Sequence, residues 1–376
     1  MKSNSFGWNN CIEPQFLSMD PVLPPEGVPD PLLYKDGAWY LNLYAKEAHV
    51  VTYGWADQVF LCEKKEDGTW QSRLPFQKGM NYIAIQIDGV DVLNPYLPIG
   101  YGYSRPCNYI ELPQEDGDFY ATRKVKHGRV IIEKYFSKVT QEWERCMVYT
   151  PYAYDEEPEK TFPVLYLQHG HGENEIGWIS TGRLPDILDN LQAEGKCEPF
   201  VVVMNSGMVQ VEMDGERTVD FTRFDDLLTV DIIPFIEGRY HVGGQRKLRG
   251  MAGLSMGSLQ TSISGFKHPE MFSCLGIFSG FLHDWIQGSL IDMVDRGAGD
   301  DQHLEFLKKL KDSKVFDVFF RGIGEEDPFL EYFLGDDELV KASGIQETRV
   351  IYPGTHDWNT WRYCIRDFAQ LIFREK

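Results

Sequence analysis

The stretch RGMAGLSMGSLQT sets Ser255 between Gly253 and Gly257 in the spacing G-x-S-x-G. That spacing arises by chance in many chains, so its surroundings decide what it means. An apolar run, Leu248 to Gly253, precedes the serine, and a helix-forming run, SLQTSISGF, follows it. Strand, sharp turn and helix in that order lift a hydroxyl above a sheet edge, and the two glycines admit backbones that a Cβ would strike. The N-terminus of the following helix favours negative charge developing beside it. The chemistry this permits is acyl transfer through a serine, which needs a base and a carboxylate to orient that base.

His356, in YPGTHDWNTW, lies after the apolar run RVIY and before the last helical run, where a loop at a sheet edge would present it. Its rivals fit less well. His268 precedes Pro269 at the far end of the helix after the serine, His303 sits in a helical run, and His283 follows CLGIFS but comes before the expected acid. The acid is expected after VFDVFF, where RGIGEEDPF supplies Glu325, Glu326 and Asp327. Asp327 is the first choice and Glu326 the second; Asp357 is read as structural, because adjacent side chains point apart. Two donors for an oxyanion are expected, the backbone N–H of Met256 and one from QHGHGENEIGW, through His171 or Gly172. The His-Gly-His-Gly run lacks an evident third and fourth ligand, so neither a metal nor any other cofactor is expected. Trp178, Trp285, Phe329 and Trp358 lie near the expected site and are candidates for stacking on a planar acid or a sugar ring. Each, taken singly, belongs more often to a core than to a pocket.

The elements that must hold these residues follow from periodicity. Before about residue 115, GAWYLNLYA and NYIAIQIDGVDVL alternate apolar and polar, and VFLCEKKEDGTWQSRLP turns at Asp67-Gly68, which predicts short antiparallel strands in a small sandwich. LPQEDGDFYATRK, residues 112–124, is polar and acidic and reads as a linker. Beyond it, PVLYLQ, FVVVMN, KLRGMAG, CLGIFS, VFDVFF and RVIY read as buried parallel strands alternating with helices such as LPDILDNLQAEG and FDDLLTVDIIPFIEGRY. The last helix sets Trp358, Trp361, Ile365, Phe368 and Ile372 on one face. Two domains are expected, 1–115 all-β and 116–376 α/β with a mostly parallel central sheet. There is no internal repeat and no low-complexity segment.

Apolar residues make up 43% and charged residues 25% of the 376, the composition of a soluble globular protein with a sizeable core. Lys and Arg total 37 against 57 Asp and Glu, a formal charge of −20. That charge opposes contact with nucleic acid or an anionic membrane and suits a neutral substrate, although solubility alone accounts for it. The first residues, MKSNSFGWNNCIEPQF, lack a secretory apolar run, so a cytoplasmic location is expected. The seven cysteines (Cys11, Cys62, Cys107, Cys146, Cys197, Cys274 and Cys364) form no C-x-x-C pair and are expected as free buried thiols.

Residues from about 120 to 376 resemble the esterase D family of α/β-hydrolases, which holds the feruloyl and acetyl xylan esterases of carbohydrate esterase family 1. The likeness is carried by KVKHGRV, MVYTPYAY, FPVLYLQHGHGENEIGW, ILDNLQAEGK, FVVVMNS, DDLLTVDIIPFIEGRY, RGMAGLSMGSLQT, GIFSG and YPGTHDW. It implies Ser255 as nucleophile, His356 as base and Asp327 as acid. DGTWQSRLPFQKGMNYIAIQIDGVDVLNP is similar to the Ig-like domain, related to carbohydrate-binding family 48, that often precedes these esterases; a structural role is expected of it before glycan binding. Ser258 departs from the Gly or Ala usual after GLSMG. GEED offers Glu325, Glu326 and Asp327 for the acid, and an opening without a secretory run leads to the expectation of short oligosaccharide or phenolic esters over polymeric wall.

The expected activity is a serine carboxylester hydrolase acting on hydroxycinnamoyl or acetyl esters of plant-derived sugars. A siderophore (enterochelin-type) esterase and an acyltransferase are alternatives on the same fold, and a non-catalytic glycan-binding protein is the contrasting class. The expected partner is a small ester substrate, and a homodimer is left open.

Overall fold

Alternating apolar and polar residues before residue 113 produce strands joined by tight turns. Asp88 and Gly89 both take positive φ, 49° and 80°, the backbone of a two-residue hairpin turn, and they join strand Gly79–Ile87 to Val90–Val92. Asp67-Gly68 turns between Lys64 and Trp70, which oppose each other. The computed structural model describes residues 21–213, 215–280, 282, 307–309, 311 and 316–374. Its chain divides into two units, Met1–Gly117 and Asp118–Lys376. In the first, one sheet runs Leu32–Lys35, Ala38–Tyr44, Thr69–Arg73, Glu63–Lys64, and another Gln58–Leu61, Val51–Trp55, Gly79–Ile87, Arg105–Leu112, Ile99–Gly102. Leu41, Val51, Tyr53, Ile83 and Ile110 are among the buried residues of their common core.

The second unit is built on one eight-stranded sheet. Its strands are β1 Arg129–Phe136, β2 Trp143–Thr150, β3 Val164–Gln168, β4 Val201–Asn205, β5 Arg249–Leu254, β6 Cys274–Phe278, β7 Val318–Gly324 and β8 Thr348–Tyr352. They lie in the order β1-β2-β4-β3-β5-β6-β7-β8. β3 to β8 pair in parallel, and β1 and β2 are antiparallel to their neighbours. Every residue of β3, β4 and β6 is buried, as continuous apolar runs require when both faces of a sheet are covered.

Helices α1 (Leu184–Ala193), α2 (Ile233–Arg239), α3 (Met256–Lys267), α4 (Leu330–Ser343) and α5 (Trp358–Ala369) follow in chain order. Val148 joins the core with Val164, Val203, Phe224, Ile236 and Phe266 on one face of the sheet. The next side chain, Tyr149, points to the other face and donates its hydroxyl to Asp189 of α1 at 2.6 Å. The five apolar residues expected on the inner face of the last helical run are all buried.

The expected linker is shorter than its composition suggested. Leu112 ends a strand, and Asn190 of α1 donates its amide to the carbonyls of Phe119 and Ala121 at 3.1 and 2.9 Å. Residues 118–124 are thus bound into the second unit. Cys62, Cys107, Cys146, Cys197, Cys274 and Cys364 are buried free thiols, and Cys11 lies outside the described residues. No helix among the described residues is long and apolar enough to cross a membrane.

Candidate active site

β5 ends at Leu254 and α3 starts at Met256, leaving Ser255 as the whole turn between them. Ser255 has φ 51° and ψ −119°, a strained conformation for a residue with a side chain, costing about 1–3 kcal/mol. The turn is held from both sides. Ser255 N–H donates to the carbonyl of Phe278, the last residue of β6, at 3.0 Å, and Ser258 Oγ donates to the carbonyl of Ser255 at 2.6 Å. A Cβ on Gly253 would meet the carbonyl oxygen of Gly257 at 2.3 Å, and one on Gly257 would meet that of His169 at 2.6 Å. Both positions therefore demand glycine. Ser258, the departure noted in the sequence, sits where its hydroxyl occupies space beside Gly280: a Cβ there would lie 1.8 Å from Ser258 Oγ.

His356 stands on the loop between β8 and α5. Its Nε2 accepts from Ser255 Oγ at 2.9 Å, and its Nδ1 donates to Asp327 Oδ2 at 2.8 Å. The Asp327 side chain is wholly buried, and its other oxygen accepts from the N–H of Phe329 at 2.9 Å. The histidine loop and the acid turn are laced together: Glu325 N–H donates to Tyr352, Glu326 N–H to Gly354, and Thr355 Oγ1 to Glu326. Glu325 and Glu326 are exposed, and it is Asp327 that meets the imidazole. Asp357 caps α5, accepting from Thr360 N–H at 3.1 Å. The His356 ring is flanked edge to face by Phe329 and Trp361 at 5.1 and 5.2 Å.

The Met256 N–H opens α3, where no intrahelical acceptor exists for it. Residues after β3 supply the facing loop. A Cβ on Gly170 would lie 2.7 Å from Leu254 Cδ1 and 3.4 Å from Ser255 Cβ, so His171 and Gly172 follow a residue already against the nucleophile. Two buried groups that the sequence reading missed fix this loop. His169 Nδ1 donates to the Gly170 carbonyl at 2.7 Å and its Nε2 accepts from Gly207 N–H at 2.9 Å. Burial pulls its pKa down to about 4. With both ring nitrogens engaged, His169 is a neutral structural residue rather than a metal ligand. Gln260 of α3 donates in turn to the Gly207 carbonyl at 2.8 Å. Glu173 accepts from Trp358 Nε1 at 2.7 Å, which joins the loop to the helix behind His356. The motif HGHGENE holds both residues, but nothing in its spacing tells which of its polar groups turn inward.

Two of the expected stacking residues must be reassigned. Trp178 and Trp358 are each 1% exposed, pack edge to face at 5.1 Å, and spend their N–H groups on Gln168 and Glu173. They are walls behind the site and offer no face to a substrate. Trp285, with the rival histidines His283 and His303, lies outside the described residues. His268 is at the far end of α3, paired with Asp225.

A mostly parallel sheet with a strained serine between strand and helix at its edge defines an α/β-hydrolase. The chain belongs to the family described as putative esterase, whose model matches residues 137–368. It is 33% identical over 322 residues, 83% of this chain, to an endo-1,4-β-xylanase/feruloyl esterase of Xylanibacter ruminicola, of whose length it spans only 41%. Among solved structures, a ferulic acid esterase from Anaeromyces mucronatus in complex with ferulic acid matches with TM-score 0.57 and 21% identity, over 69% of this chain and 96% of that one. The enterobactin esterase of Shigella flexneri matches with TM-score 0.61 and 13% identity, over 90% of this chain and 94% of that one. At these identities the two structures speak for the fold alone.

Proposed function

We propose that the chain is a serine esterase releasing hydroxycinnamoyl acids from plant-derived sugars. The observation that carries the reading is the continuous line Ser255–His356–Asp327, with hydrogen bonds of 2.9 and 2.8 Å; the named activity of the Xylanibacter relative supports the substrate class. In this mechanism His356 Nε2 takes the proton of Ser255 as Oγ attacks the ester carbonyl. Asp327 stabilises the imidazolium and holds its tautomer. The tetrahedral oxyanion is met by the N–H of Met256 and an N–H from the His171–Gly172 turn. His356 then protonates the leaving sugar hydroxyl, and water repeats the sequence to free the acid. Phe329, beside His356, is the candidate for the planar acyl group.

The N-terminal all-β unit is taken as an Ig-like module with a structural role, and the buried free thiols suit a reducing, cytoplasmic setting. Hydrolysis of methyl ferulate and of an aryl acetate by the purified chain, with Ser255→Ala as control, tests the assignment. Ferulate cleavage lost in the variant supports it. Cleavage of the acetate alone points to a deacetylase, and cleavage of neither moves the reading to catecholate siderophore esters or to acyl transfer.

A further inference from the structure

The fold buries Trp178 and Trp358 and exposes a different tryptophan. Trp143 opens β2 and is 72% exposed, although tryptophan is on average a highly buried residue. It packs edge to face on Phe136, itself 51% exposed, at 5.8 Å. Phe136 and Trp143 oppose each other directly on the β1–β2 ladder, as do Lys134 and Arg145, and directly opposed residues share a face. Lower on that face Tyr149 is covered by α1 through Asp189. Above it the side chains of Lys134, Phe136, Trp143 and Arg145 are exposed.

Register places this patch at the reacting edge of the sheet. Cys146 opposes Asn205, the last residue of β4, so residues before Cys146 stand beyond the edge where the parallel strands end and Ser255 begins. Arg145 pairs with the buried carboxylate of Glu175, four residues past His171 on the loop that faces the nucleophile. Trp143 lies two residues farther along the same face, about 7 Å. β2 is three strand spacings from β5, about 14 Å, a gap that a short chain of sugar rings bridges.

We propose that Trp143 and Phe136 form a platform for the sugar portion of the ester, remote from the bond that is cleaved. This rests on the reading of the site as an esterase for acylated sugars. A sugar ring has an apolar face for the indole and a rim of hydroxyls for Lys134 and Arg145, which matches a patch of two rings beside two cations that form the next pair on the same face. A protein partner fits worse: the exposed rings offer on the order of 300 Å², well short of the ~800 Å² per partner of a stable interface.

The test compares kcat/KM on methyl ferulate, which has no sugar, and on a feruloylated pentose trisaccharide, for the wild-type chain, Trp143→Ala and Trp143→Phe. Loss of one stacking face lowers kcat/KM on the trisaccharide ester about five- to tenfold in Trp143→Ala, through KM, with methyl ferulate unchanged and Trp143→Phe largely intact. An equal effect on both esters, or none, overturns the platform and leaves the esterase reading standing. If the wild-type chain cleaves neither ester, the esterase reading falls, and a fluorescence titration with the unesterified trisaccharide decides for the platform: binding lost in Trp143→Ala sustains it, and no binding overturns it. A Trp143→Ala variant that changes sedimentation while its sugar response is unaltered identifies a subunit interface and also overturns the proposal.

Discussion

The carboxylate behind His356 is where one atom decides most. Asp327 accepts from Nδ1, so Nε2 is left bare to take the Ser255 proton. In Asp327→Asn the amide can donate to Nδ1 instead, which puts the proton on the wrong nitrogen. We expect kcat on methyl ferulate to fall by about 10⁴, the loss known when that tautomer is reversed in a serine triad, with KM within a few fold. Glu326→Gln, one residue away and exposed, should leave kcat unchanged; a comparable loss there would reassign the acid. His169 bears on stability through its protonation. Its folded pKa, about 4, lies below the ordinary histidine value of 6.5, so the unfolded chain binds the proton more readily. The stabilisation is complete above about pH 6.5 and is lost as pH falls toward 4, by up to about 3 kcal/mol. Urea unfolding across that window should show a slope that is shallower in His169→Gln, which has no proton to gain.

The elbow and the strands beside it act as one element, and Ser258 shows how. Its hydroxyl fills the space that a side chain at position 280 would need, with a Cβ there only 1.8 Å from Oγ. Gly280→Ala alone should destabilise the chain by about 1–3 kcal/mol and lower kcat by displacing the turn that carries Ser255. Adding Ser258→Gly opens that space and should recover most of both losses. Additive effects in the double variant, read by thermal unfolding and methyl ferulate turnover, would show that the two positions do not touch. This coupling also marks the limit of the sequence reading. The parallel strands, the elbow and the last helix were legible because continuous apolar runs, a fixed glycine spacing and a 3.6-residue stripe are local patterns. β1 and β2 were not read as strands, since VIIEKYF and WERCMVY are half-exposed and lack a clean alternation. Burial of Trp178 and Trp358 was equally hidden, because it depends on Gln168 and Glu173 meeting their indoles across the fold.

At the scale of the molecule, the polar stretch 112–124 reads as a single linker, yet its second part belongs to the second unit. From Phe119 onward the backbone is held by Asn190, Arg123 pairs with Glu194, and His127 bonds Asp189 and the carbonyl of Arg123. Glu115 is exposed and lies ahead of these anchors, at the boundary between the two units, and exposed segments at such boundaries are preferred sites of nicking. A glutamate-specific protease should therefore cut first at Glu115, giving fragments that end and begin there, before it cuts at Glu157 or Glu159, which are also exposed but sit among the turns before β3. Ser255, His356 and Asp327 all belong to the second unit, so the nick should leave turnover of methyl ferulate intact. Activity that falls in step with cleavage at Glu115 would mean that the first unit supports the site, and would displace the purely structural role assigned to that module.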